Sequence, residues 1–146
     1  MSNSELIGQL LDKLILEAHQ AKFQWLAIPK YFETNKNEPL RRFIIENNKY
    51  AYSETHSRRT FSNSVPLISE YRSRCISIDG GVITLFMFQE SPDVKYALAI
   101  QPSDTAGVTI LECDGNQTAR LNELAEIIGN EQYEVMRFIN RIIGKN

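Results

Sequence analysis

Histidine and cysteine are scarce in this chain: His19, His56, Cys75 and Cys113 are the only such side chains among 146 residues. Neither cysteine has a Cys or His neighbour at the short spacing that zinc sites use, which excludes a local zinc motif. Two isolated cysteines do not make a disulfide framework, and a chain of this length builds a core without one. Both are expected as thiols, small hydrophobes inside apolar or alternating runs, where burial makes them inert. Long apolar runs are missing as well, and none approaches the ~20 residues of a membrane-spanning helix. No charged segment followed by an apolar stretch opens the chain, so no signal peptide is expected and the compartment reads as cytoplasmic. No Gly-x-Ser-x-Gly elbow occurs. These gaps leave no catalytic residue, no metal ligand set and no cofactor site to name, and the expectation is a protein that is not an enzyme.

What is present suits one globular domain over residues 1–146, with 42% apolar and 23% charged residues. The formal charge of −2 makes no general case for nucleic acid or membrane, but the charge is unevenly spread. Residues 30–74 hold nine Lys/Arg against five Asp/Glu, and the remainder holds seven against 13. A basic middle in an acidic chain fits either an anionic partner or a solvated surface of mixed charge.

The apolar period divides the chain into helices, then strands, then helices. Ser2 and Glu5 stand at capping-box spacing, and Ile7, Leu10, Leu11, Leu14, Ala18 and Ala21 follow at helical spacing to about Lys22, with Asp12, Lys13 and Glu17 on the wet side. Residues 28–37 read as a connector, with Pro29 as a break and a helical turn at Tyr31 and Phe32. Asn37 is placed to cap a second helix with Pro39 in its first turn and Leu40, Phe43 and Ile44 as its stripe, ending at Asn47-Asn48. Lys49–Ser53 reads as a short strand. From Ser69 the period is two: strands at 72–78, 82–89, 95–101 and 108–112, joined by short turns, make an antiparallel meander. Asp79-Gly80-Gly81 lies between two of these strands, which makes it a hairpin turn and not a phosphate cradle. Asp114 precedes a helix with Leu121, Leu124, Ala125 and Ile128 on one face, Arg120 beside Glu123 and Gly129 past its end. There the aspartate favours capping over phosphate binding. Asn130 caps a last helix whose buried stripe is expected to be Val135, Phe138, Ile139 and Ile142. The fold class is therefore α+β, with N-terminal helices, a meander of four or five strands and two C-terminal helices.

"VITLFMF", residues 82–88, is apolar on both faces, with Val82, Phe86 and Phe88 on one and Ile83, Leu85 and Met87 on the other. Such a strand is covered on both sides. The chain's own helices, before and after the sheet, are expected to cover both faces, and a second subunit covering one of them, in a homodimer, is the alternative.

The opening helix, "KFQW" at Lys22–Trp25, "DGGVITLFMF" and "KYALAIQ" together resemble a loose family of small bacterial and prophage proteins. The resemblance covers residues 5–26 and 76–143. It implies an α+β fold and a bacterial, cytoplasmic origin, and it lends no catalytic residue.

The resemblance skips "YSETHSRRTFSNS", residues 52–64, the stretch that comes nearest to announcing a function. It has no apolar period and reads as part of a basic loop at 53–68, whose order the sequence leaves open. With its neighbours it supplies Arg41, Arg42, Tyr52, His56, Arg58, Arg59, Arg72 and Arg74. Arginine forks hold phosphate or carboxylate, and Tyr50, Tyr52 and Phe61 offer rings for stacking. Glu38, Glu46, Glu54 and Glu70 are interleaved and work against such a face. The function read from this is binding of another macromolecule, foremost a protein, in an accessory, inhibitory or immunity-like role. Nucleic-acid binding through the basic 41–74 region and a small-molecule sensor with a pocket lined by Tyr96, Phe86 or Trp25 are the alternatives.

Overall fold

The structure is a computed structural model that describes residues 2–58, 67–89 and 93–144, with the backbone alone at 49–58. The sequence reading expects one domain. The contacts within the chain gather into two compact units, residues 1–25 with 111–146 and residues 26–110. The α+β class holds, with five helices and a six-stranded antiparallel sheet among the described residues. No described helix is long and apolar enough to cross a membrane.

The first unit is helical. α1 (Asn3–His19) begins at Ser2, whose hydroxyl accepts from the Glu5 amide while the Glu5 carboxylate reaches back to the Ser2 backbone. α4 (Gly115–Gly129) begins the same way, with Asp114 accepting from the Gln117 amide at 2.8 Å. The aspartate therefore caps, as its sequence position implies. α1 and α4 run in the same direction: Gln117 donates to the Ser4 carbonyl at 2.8 Å, and further along Arg120 donates to the Gly8 carbonyl and pairs with Asp12. Arg120 thus joins two helices, where the sequence suggests an ion pair with Glu123 on its own helix. Leu11, Leu14 and Ala18 of α1 and Leu121, Leu124 and Ile128 of α4 are buried. α5 (Glu131–Ile142) starts at Asn130, whose side chain accepts from the Gln132 amide at 2.8 Å. Gly129 is the last residue of α4 rather than a left-handed stop beyond it, and the extended Asn130 ends one helix and caps the next.

The second unit is a sheet with two helices. β1 (Leu26–Ala27) leads directly into α2 (Ile28–Thr34), a seven-residue helix with Pro29 in its first turn, where the sequence indicates a connector with a single helical turn at Tyr31 and Phe32. α3 (Glu38–Arg58) is capped by Asn37, whose side-chain oxygen accepts from the Leu40 amide at 3.1 Å. The strands β2 (Leu67–Ile68), β3 (Arg74–Ile78), β4 (Gly81–Gln89), β5 (Val94–Gln101) and β6 (Thr109–Ile110) complete it. The order is β1-β3-β4-β5-β6, with β2 pairing the far end of β4 beyond β3. β3 and β4 meet at a turn where Asp79 has φ 50° and Gly80 φ 82°, the two left-handed residues of a type I′ hairpin. Gly81 has no room for a side chain, since a Cβ there would stand 2.6 Å from the Gln101 carbonyl oxygen.

The register fixes the two faces of the sheet. Cys75, Val82, Thr84, Phe86, Ala99 and Gln101 share one face. There Phe86 stacks on Phe43 of α3 at 5.4 Å, and Ile28, Tyr31, Leu40 and Ile44 complete the core. Ile76, Ile83, Leu85, Met87 and Leu98 lie on the opposite face and are also buried, so both faces of β4 are buried as its sequence implies. Phe86 and Tyr96 fall on opposite faces, because Tyr96 stands across from Met87. They do not line one pocket, and the sensor reading loses that pair.

Candidate functional site

The first part of the basic segment, residues 53–58, is helix and not the loop that its sequence suggests. α3 continues through Asn47-Asn48 to Arg58 and replaces the expected strand at Lys49–Ser53 and the first part of the loop at 53–68. Asn48 does not stop the helix because its amide serves another element. It accepts from the Ile68 amide at 2.8 Å and donates to the Ile68 carbonyl at 3.3 Å, completing β2 from the side. Residues 67–68 are strand, and 59–66, with Arg59 and Phe61, lie outside the described residues.

The remaining predicted site residues are spread along this architecture. Arg41 and Arg42 stand exposed on the first half of α3, and Tyr52, His56 and Arg58 occupy its last turns. Arg41 lays its guanidinium over the Phe32 ring at 4.2 Å, beside a cavity of about 280 Å³ that Glu70 also lines. Arg72 and Arg74 flank Ser73, which is fully buried. The Ser73 hydroxyl accepts from the Met87 amide at 2.9 Å, and the Ser69 amide donates to the Met87 carbonyl at 2.9 Å. The turn at 69–73 thereby satisfies β4 where neither β2 nor β3 pairs with it. Arg74 folds onto that turn and donates to the carbonyls of Tyr71 at 2.5 Å and Ser73 at 3.2 Å. Burial, followed by the charge of Arg72, lowers its pKa. Arg41 and Arg74 are thus each engaged in local packing, and Arg72 acts on Arg74 through its charge.

Burial disfavours the thiolate at both cysteines. Burial pushes the Cys75 thiol up to about 12, against a smaller lowering by its contact with Thr84 at 3.4 Å. Cys113 is raised by burial and then by Asp114. Among the described residues no group of three His, Cys, Asp or Glu side chains stands together as a metal site.

The exceptional surface is on α5, and its orientation reverses the sequence expectation. Val135, Phe138, Ile139 and Ile142 do not form a buried stripe: they are 45, 54, 42 and 67% exposed. The inward side is polar. Tyr133 is buried, Arg137 and Asn140 are half-buried, and their i, i+4, i+7 spacing sets them opposite the apolar stripe. Tyr133 donates its hydroxyl to the Phe23 carbonyl, and Asn140 donates to the Gln20 carbonyl at 3.1 Å. Those carbonyls belong to the turn that ends α1, where Ala21 has φ 49°. Burial raises the Tyr133 phenol to about 12, opposed by Arg137.

An open cleft of about 660 Å³ lies between this turn and α5, lined by Lys22, Met136, Arg137, Asn140 and Arg141 among others. Its cations are largely matched. Lys22 pairs with Glu17 at 3.2 Å, and Arg137 with Glu134 at 3.2 Å. Glu17 itself is buried, in contrast to the wet position expected for it, and is held by Lys22 and Lys13. Arg141 extends over the Phe138 ring at 5.7 Å.

No family model, curated protein or solved structure matches the chain. The site is therefore defined by its own geometry: an amphipathic helix with its apolar side outward and its polar side hydrogen-bonded to the body of its unit. Tyr133, Arg137 and Asn140 are the positions that sequence reasoning missed. The signal was present as a second stripe at helical spacing, opposite the apolar one.

Proposed function

We propose that this protein acts by binding another protein chain through the outward apolar face of α5, and that it performs no reaction of its own. The observation that carries the reading is the inversion of α5, which leaves Val135, Phe138, Ile139 and Ile142 in solvent while Tyr133 and Asn140 anchor the opposite side. A contiguous apolar patch flanked by charged residues is the physical signature of a binding face. Exposed Met136 and the half-exposed Phe138 add adaptable and aromatic area of the kind interfaces favour. The two thiols, both raised by burial, support the absence of nucleophilic chemistry, and as free thiols they suit the cytoplasm. The basic segment supports the nucleic-acid alternative less, because Arg41 is spent on a ring and Arg74 on two carbonyls.

A photo-crosslinking amino acid in place of Ile142, compared with one in place of Arg42, tests the reading in cells. A protein adduct from position 142 is expected. Adducts confined to position 42, or adducts to nucleic acid alone, would overturn it.

A further inference from the structure

We infer that the occupant of the α5 face is the α5 face of a second copy of this chain, packed antiparallel about a two-fold axis. This rests on the reading of α5 as the binding face and adds its partner. The argument is self-complementarity. Val135, Phe138, Ile139 and Ile142 repeat at i, i+3, i+4 and i+7, the seam of a two-helix packing. The charges along the helix are segregated, with Glu131 and Glu134 in its first half and Arg137 and Arg141 in its second.

Glu134 and Arg141 are seven residues apart and therefore lie on the same flank of the seam. In an antiparallel pair that flank faces its own two-fold mate. Glu134 of one copy then comes within a helical turn of Arg141 of the other, twice in each dimer. A parallel pair would instead set this flank against the opposite one, which carries Gln132 and Ile139 and offers Glu134 no arginine. Antiparallel packing also brings the positive start of each helix to the negative end of its neighbour. Arg141 has no ion-pair partner among the described residues, so its charge is free for this contact.

The test is sedimentation velocity on the full chain over about two decades of concentration centred near 10 µM, the affinity range of a small interface. The wild type is expected to shift from the mass of one chain to that of two. Phe138→Glu should stay monomeric throughout. Glu134→Arg and Arg141→Glu should each weaken the dimer about tenfold or more, and the doubly swapped chain should return to within about threefold of wild type. Circular dichroism on each variant confirms that the helices are retained.

A wild type that stays monomeric overturns the inference. So does a dimer that Phe138→Glu leaves intact, or a double swap no better than the single ones. Failure here is distinct from failure of the functional reading. A monomeric chain that crosslinks another protein from position 142 loses only the second copy as partner, whereas a chain that crosslinks no protein from position 142 loses the reading itself.

Discussion

Phe138→Glu separates an outward apolar face from a buried one by stability alone. Fully burying a side chain of this kind contributes about 1.5–3 kcal/mol. Phe138 is already 54% exposed, so about half of that, on the order of 1 kcal/mol, is at stake in the isolated chain. The new carboxylate stands four residues after Glu134 and three before Arg141, and pairs at those spacings contribute only about 0.2–0.5 kcal/mol each, here with opposite signs. The expected loss is therefore about 1 kcal/mol or less. Had the stripe faced inward, losing the ring would cost about 3–5 kcal/mol, and a buried unpaired charge would add to it. Tyr133→Ala provides the contrast. Tyr133 is 5% exposed, and its hydroxyl is bonded to the Phe23 carbonyl. Its loss should cost about 3–5 kcal/mol, like other buried aromatics. Urea unfolding followed by circular dichroism, at about 1 µM chain so that association does not contribute, measures both. A Phe138→Glu loss above about 3 kcal/mol, with Tyr133→Ala nearly silent, would refute the orientation of α5.

Two further outcomes follow from buried polar groups. Asn37 is fully buried; it donates to the Tyr31 hydroxyl at 3.0 Å and to Gln101 at 2.9 Å, and it accepts from Leu40 and Gln101. Asn37→Ala should cost about 2–4 kcal/mol in urea unfolding, from the lost cap and the amide it strands, and a cycle with Gln101→Ala should show coupling of at least about 1 kcal/mol. The Tyr133 phenol is raised from 10.0 to about 12, so the folded chain holds this proton longer than the unfolded one. The stability that depends on it is whole below pH 10 and falls as pH rises towards 12; Tyr133→Phe should remove that part of the alkaline slope, and equal slopes in the two chains would refute it.

Capping chemistry was legible in the sequence because its signal is local. Ser2 with Glu5, Asn37 with Pro39, Asp114 and Asn130 all sit where the structure uses them. The meander was legible because period-two patterning and Asp79-Gly80 fix strands and turn together. What failed were positions where a side chain serves a distant partner. Asn48 resembles a helix stop, yet its amide completes the pairing of Ile68, twenty residues on, and the helix runs past it. Glu17 resembles a solvent residue, yet Lys22 reaches back to neutralise it. Two of the predicted arginines show the same thing, since Phe32 holds the Arg41 guanidinium and the 69–73 turn holds that of Arg74.

The α5 case is different in kind. Periodicity shows that a helix has two unlike sides, but only the energetics of the whole chain decide which side turns inward. Turning the apolar side outward leaves Val135, Met136, Phe138, Ile139, Ile142 and Ile143 roughly half exposed. At about 1 kcal/mol forgone for each, the chain gives up on the order of 5 kcal/mol. The bonds from Tyr133 to Phe23 and from Asn140 to Gln20 return about 1 kcal/mol apiece, as hydrogen bonds that replace bonds to water. The shortfall of about 3 kcal/mol is a sizeable part of the roughly 5–15 kcal/mol that holds a small domain folded. Covering the exposed face recovers it, and the polar anchor holds the helix in the one orientation from which a second chain can do so. On the proposed function, Tyr133 and Asn140 belong to the binding face although they lie on the side of α5 away from it.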